Sequence, residues 1–225
     1  MPEAPGNTAQ SFSIAAGTTI EALLKQPQME PLEARILLTH ALQLSRVQLI
    51  TQSERAITVH EANHIAALFQ RRINGEPIAY IVGEREFYGL PLYTTPDVLI
   101  PRPETELLVE LALDRLPTGG RVLDMGTGSG AIAIAIAYSR RDAAVTALDV
   151  SAAALAVAQR NADRHQARIA FMQSDWYSAL TNEQFELIVA NPPYIVAGDP
   201  HLSQGDLRFE PTGALTDHAD GLSAL

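Results

Sequence analysis

The sequence has no cysteine, which excludes both a disulfide framework and a thiolate metal site and suits a reducing compartment. Aromatic residues are scarce at 6%, with a single tryptophan, Trp176. Positive charge is also short: 16 Lys and Arg stand against 26 Asp and Glu, a net charge of −10. The deficit is uneven, with 7 basic and 9 acidic residues over 1–95 but 9 and 17 over 96–225. A grip on a phosphate backbone needs clustered cations, so direct binding of nucleic acid is not expected. No apolar run reaches the roughly 18 residues of a membrane span. The start, Met1-Pro2-Glu3-Ala4-Pro5-Gly6, shows neither a basic leader nor an apolar signal region. These absences predict a cytoplasmic protein that does not engage a membrane.

What is present is a 225-residue chain with 47% hydrophobic residues and a mean hydropathy of +0.03, enough for one large domain or two small ones. Residues 1–17 are polar and read as a flexible tail. Residues 18–75 read as a helical domain. Ile20, Leu23 and Leu24 follow Thr18-Thr19 at helical spacing, Pro31 suits a first helical turn, and Ser45 and Thr58 are candidate N-caps. Thr58-Val59-His60-Glu61 fits a capping box. The run His60-Glu61-Ala62-Asn63-His64 is also a formal zinc-protease motif, but Glu61 already has a capping task and no third ligand is evident, so no metal is expected.

Over 76–98 the pattern changes to strand and turn residues, from Ile78-Ala79-Tyr80-Ile81-Val82 through Gly83 to Phe87-Tyr88-Gly89, which predicts a linking β-hairpin. From 99 onward lies a third region. "LIPRPETE" precedes a helix marked by Leu107, Leu108, Leu111 and Leu116. Strands are then predicted at 121–125, 144–148, 169–172 and 185–190, with helices at 131–137 and 151–164 between the first three. Four βα steps imply a doubly wound, mainly parallel Rossmann-like sheet with ligands at the carboxyl ends of its strands.

The first of those ends is Asp124-Met125-Gly126-Thr127-Gly128-Ser129-Gly130. Its glycines permit a tight turn and close approach of a ligand at a helix N-terminus. Asp149 ends the second strand, where its carboxylate can accept hydrogen bonds from ribose hydroxyls. Gly126 to Ala131 equally satisfies a dinucleotide fingerprint, so this loop alone leaves NAD and other adenosine cofactors open. The fourth strand ends in Asn191-Pro192-Pro193-Tyr194, where two prolines stop the ladder in a stiff extended turn flanked by an amide and a ring.

The glycine turn, Asp149 and Asn191-Pro192-Pro193-Tyr194 together resemble the class I S-adenosylmethionine-dependent methyltransferases that modify amino or amide nitrogens. "GEPIAYIVGEREFYG" at 75–89, "LIPRPETE" at 99–106, "QSDWYSAL" at 173–180 and "GDLRFEP" at 205–211 extend the resemblance to the release-factor glutamine methyltransferases. It runs from about residue 20 to the end. It implies S-adenosyl-L-methionine as cofactor and, as partner, a peptide chain release factor methylated on the glutamine of its Gly-Gly-Gln loop. It also implies that Gly126, Thr127, Gly128, Ser129 and Gly130 cradle the methionine part, that Asp149 holds the ribose, and that Trp176 lies beside the adenine. The N-terminal helices become a substrate-recognition domain.

A primary amide nitrogen is a poor nucleophile, so the protein's task is to position it. Asn191 and Pro192 can accept its two N–H groups through the side-chain and main-chain oxygens, Pro193 stiffens the turn, Tyr194 packs on the acceptor, and all four are expected to bind the substrate. Asn191 also borders the cofactor. Rival readings are a ribosomal-protein glutamine methyltransferase, an enzyme for the exocyclic amine of a nucleic-acid base, and a cofactor binder without activity. The last has a motive: this fold class carries further strands, an antiparallel pair among them, after the fourth, and the sequence is expected to end the sheet at four. Arg208, Phe209 and Glu210 receive no assigned role.

Overall fold

The computed structural model describes residues 12–222. The chain divides into two compact units after Val82.

The first unit is helical: α1 (Ile20–Leu24), α2 (Pro31–Leu42), α3 (Arg46–Thr51), α4 (Val59–Ile73) and α5 (Ile78–Val82). Local chemistry sets the starts. Thr19 accepts from the Ala22 N–H, Pro31 occupies the first position of α2, and Ser45 and Thr58 each form a full capping box, with Gln48 and Glu61 respectively. Glu61 takes the Thr58 N–H at 2.8 Å and the Arg55 guanidinium at 2.6 Å, so its carboxylate serves the helix start, as its spacing predicts. These contacts, the Thr58 backbone first, hold Glu61 below the usual carboxylate range. Ile20, Leu23, Leu37, Leu38, Ile65 and Phe69 form the fully buried core.

Two expectations change here. The flexible tail expected over 1–17 lies partly outside the described residues, and over 12–17 the chain is docked. The Phe12 N–H donates to Gln70 Oε1 at 2.7 Å, its ring lies 5.7 Å from Phe69, and the Gly17 N–H reaches the Ile57 carbonyl. Phe12 and Ile14, apolar residues in polar surroundings, supply the grip. Ile78–Val82, read as strand-like, is a helical turn in which Tyr80 and Ile81 donate to the Pro77 carbonyl. A five-residue apolar run carries too little periodicity to separate the two, and Pro77 starts the turn.

The second unit opens with the hairpin β1 (Glu84–Phe87) and β2 (Leu90–Tyr93), narrower than the predicted 76–98. Tyr88 and Gly89 both take positive φ (52° and 75°), the conformation of a tight two-residue hairpin turn. Helix α6 (Glu106–Arg115) buries Val109 and Ala112 and leaves two of its marker leucines, Leu107 and Leu111, exposed. Then follow β3 (Arg121–Met125), α7 (Ala131–Ser139), β4 (Ala144–Asp149), α8 (Ala152–His165), β5 (Ile169–Gln173) and β6 (Leu187–Ala190). All four pair in parallel in the order β5-β4-β3-β6, the doubly wound sheet that the sequence predicts. Residues 131–137 of α7, the predicted helix, are buried all round and carry no polar face. Strand order reverses at β3, whose neighbours are β4 on one side and β6 on the other, and this opens a crevice above their carboxyl ends.

Thr58→Ala removes one capping oxygen and frees Glu61 from the box. Urea unfolding should register a loss of about 1 kcal/mol, and an unchanged midpoint would refute the cap's contribution.

Candidate active site

The turn after β3 is tied to the neighbouring strand at two points. The Thr127 N–H donates to the Leu148 carbonyl at 2.9 Å, and the Gly128 N–H donates to Asp149 Oδ2 at 2.8 Å. Asp149 Oδ1 accepts from the Ser151 N–H, so each carboxylate oxygen keeps lone-pair capacity for a further donor. Gly126, Gly128 and Gly130 all have φ between 55° and 82°. Gly130 is also the tightest packed, because a Cβ there would meet Ala158 Cβ at 3.1 Å and Ile134 Cδ1 at 2.9 Å.

Two cavities open above the sheet. One, of about 550 Å³, is lined by Gly126 to Ser129, Asp149, Trp176 and Pro193. The other, of about 520 Å³, is lined by Glu104, Tyr194, Ile195 and Leu207. Asn191 and Pro192 line both, as do Leu99, Arg102, Thr105 and Ala214. The predicted residues therefore sort into two chambers and a shared wall. Gly130 lines neither, and its part is the close packing of α7 on α8. Pro193 lines the first chamber and not the second. Trp176 has φ 48°, unusual for a bulky residue, and its carbonyl accepts from Ser174 Oγ at 2.7 Å. The Asn191 side-chain amide makes no hydrogen bond among the described residues, and Tyr194 is 67% exposed.

Residues 16–83 match the PrmC N-terminal domain family and residues 103–205 the methyltransferase small domain family. A release factor glutamine methyltransferase of Burkholderia pseudomallei is 53% identical over 216 residues, which span 92% of this chain and 76% of that protein. The protein of the same name from Neisseria gonorrhoeae is 49% identical, covering 92% and 77%, and that of Escherichia coli K12 is 49% identical, covering 86% and 70%. The chain belongs to the release factor glutamine methyltransferase family.

Two features of this family member were not visible in its sequence pattern. Glu210, whose side chain is wholly buried, accepts the Ile100 N–H at 3.0 Å and pairs with the Arg102 guanidinium. It clasps "LIPRPETE" to "GDLRFEP", two segments that each contribute residues to both chambers. Its neighbour Arg208 lies with its guanidinium 4.9 Å from the Phe209 ring. A glutamate whose partners are a distant arginine and a main-chain N–H leaves no local signature. Asp124 is the second. It is fully buried, and its Oδ2 accepts from Thr127 Oγ1 at 2.7 Å and from the Ala133 N–H in the first turn of α7, whereas Oδ1 has no partner among the described residues. Burial pushes its carboxyl from 3.8 up to about 6; the two hydrogen bonds oppose the shift, and the nearby Asp149 charge adds to it.

Because the folded protein retains a proton that the unfolded chain releases, ionisation of Asp124 costs stability as pH rises from about 4 through about 6. Asp124→Asn keeps both accepted bonds and never ionises. Between about pH 4 and about pH 7 the wild type should lose about 2 kcal/mol relative to this variant in urea unfolding, and parallel pH profiles would contradict the assignment. Glu210→Ala leaves the Ile100 N–H unpaired and the Arg102 charge uncompensated; a loss of about 2 kcal/mol is expected by chemical denaturation, discounted for the partial exposure of Arg102. A wild-type midpoint would show that the clasp contributes nothing.

Proposed function

We propose that the protein methylates the side-chain amide nitrogen (N5) of the glutamine in the Gly-Gly-Gln loop of peptide chain release factors, with S-adenosyl-L-methionine as donor. The observation that carries this reading is the shared wall: Asn191 and Pro192 border both chambers, so a donor in one and an acceptor in the other meet across them.

The first chamber suits the cofactor. Its volume is that of a small-molecule site. Its glycine backbone can approach a ligand closely, Asp149 retains acceptor capacity for ribose hydroxyls, and Trp176 offers a flat apolar face for the adenine. S-adenosyl-L-methionine supplies a methyl group made electrophilic by its sulfonium. Everything else asked of the protein is orientation.

A glutamine amide donates its lone pair to its own carbonyl and has to be turned and held to attack. The unpartnered Asn191 side-chain oxygen accepts one of its N–H groups, and the Pro192 carbonyl accepts the other. Backbone around the turn is stiff. Pro192 and Pro193 fix φ, and the following segment is pinned where the Ile195 N–H donates to the Leu215 carbonyl and the Ala197 N–H to the Ala219 carbonyl. Tyr194 stands in the second chamber as a ring against which the acceptor packs. No base of raised pKa is required, since the nitrogen becomes acidic only as its new bond forms. Such positioning is worth several orders of magnitude in rate.

The helical first unit serves substrate recognition in this reading. Leu32, Val47, Ile50 and Val59 stand exposed on it, the kind of apolar surface that partners cover. The acidic balance of residues 96–225 favours a protein acceptor over a nucleic-acid base. No helix of the described residues is long and apolar enough to cross a membrane, and the cysteine-free chain is assigned to the cytoplasm, where release factors act.

The test is to incubate the protein with a release factor and S-adenosyl-L-methionine and to follow the Gly-Gly-Gln peptide by mass spectrometry. One added methyl group on the glutamine is expected; an unmodified peptide would overturn the reading. Asn191→Ala should lower turnover by about tenfold to a hundredfold while cofactor affinity stays unchanged, and wild-type turnover in that variant would remove Asn191 from the mechanism.

A further inference from the structure

Asn161, on α8, is completely buried, and every one of its hydrogen bonds goes to main chain. Its Oδ1 accepts the Tyr93 N–H at 2.7 Å; its Nδ2 donates to the Tyr93 carbonyl at 3.0 Å and to the Ser129 carbonyl at 2.9 Å. Both N–H donors are used, and the orientation of the amide is unambiguous, because two carbonyls demand the nitrogen and one N–H demands the oxygen. One side chain thus bridges the end of the hairpin and the glycine turn.

Each end of that bridge is informative. Ser129 lines the first chamber between Gly128 and Gly130, two residues with positive φ whose own side chains can hold nothing. The turn is tied to β4 through Thr127 and Gly128, and Asn161 ties it on the helix side. Tyr93 is itself clamped. Its ring lies 3.8 Å from the Arg160 guanidinium and 4.6 Å from that of Arg164, Arg164 pairs with Glu84 at 2.7 Å, and His165 Nε2 meets the Pro91 carbonyl at 2.8 Å. The hairpin is riveted to α8 by four residues, of which only Asn161 continues into the site.

We propose that Asn161 is the positioning residue that sets the shape of the glycine turn for the cofactor and couples that turn to the hairpin. The inference rests on the reading of the first chamber as the S-adenosyl-L-methionine site. By reciprocity, a ligand that orders the turn also tightens the hairpin end, and a hairpin released from Asn161 loosens the turn.

The probe is S-adenosyl-L-homocysteine, titrated calorimetrically into wild type, Asn161→Ala and His165→Ala. Asn161→Ala is expected to bind about tenfold or more weakly, the loss that follows when buried main-chain groups go unpaired at the turn. His165→Ala loses one hairpin rivet and keeps all three Asn161 bonds; it should melt at a lower temperature and bind within about twofold of wild type. Equal affinity for Asn161→Ala and wild type overturns the inference and leaves Asn161 a purely structural residue. If Asn161→Ala does not fold, hydrogen exchange on the wild type decides: saturation with the probe should slow exchange of the Tyr93 amide, and an unchanged rate overturns the coupling. A wild type that binds no probe overturns the cofactor reading and this inference together.

Discussion

The reversal of strand order at β3 is the constraint on which the rest depends. With β4 on one flank and β6 on the other, the chain leaving β3 and the chain leaving β6 emerge side by side, and no crossover helix covers the gap between them. The glycine turn and Asn191-Pro192 are neighbours only because of that arrangement. Hydrophobic burial holds it: Val122, Leu123, Ala147 and Val189 are buried in the sheet, and α7 is sheathed in apolar contacts on all sides.

Around this crevice the loops are fixed by polar side chains that bond to main chain, Asn161 and Glu210 buried and Asp149 half-buried. Asp149 holds the Gly128 and Ser151 amides, Asn161 holds Tyr93 and Ser129, and Glu210 holds Ile100. Each satisfies backbone groups that have no sheet or helix partner, which is the condition for burying a loop at all. Asp124 is the incomplete member, with one oxygen satisfied twice and the other not at all.

What could be read in the sequence was what is local. Thr58 with Glu61, Ser45, Pro31, the four strands and both crossover helices announce themselves through spacings of a few residues, and the glycine turn and Asn191 stand at predictable strand ends. The limits lay elsewhere. Ile78–Val82 is too short to show a period. The docking of Phe12 depends on Phe69 and Gln70, far along the chain. Glu210 reaches the Ile100 N–H across 110 residues and Asn161 reaches Tyr93 across 68, in each case with main-chain partners that any residue type supplies. Such contacts follow from the fold and cannot precede it. Pro193 shows the same limit at short range: its place in the motif is evident, but which chamber it faces is decided by how the turn leaves β6.

A partition shared by two chambers also separates their chemistry. Beyond the six common residues, the first chamber draws on the turn after β3 and the ends of β4 and β5, and the second on segments around Tyr194 and Leu207. Under the proposed function, donor and acceptor therefore meet largely different linings. On the same reading, selectivity for the acceptor can be retuned in the second chamber's own lining with the first left untouched, whereas Asn191 and Pro192 border both.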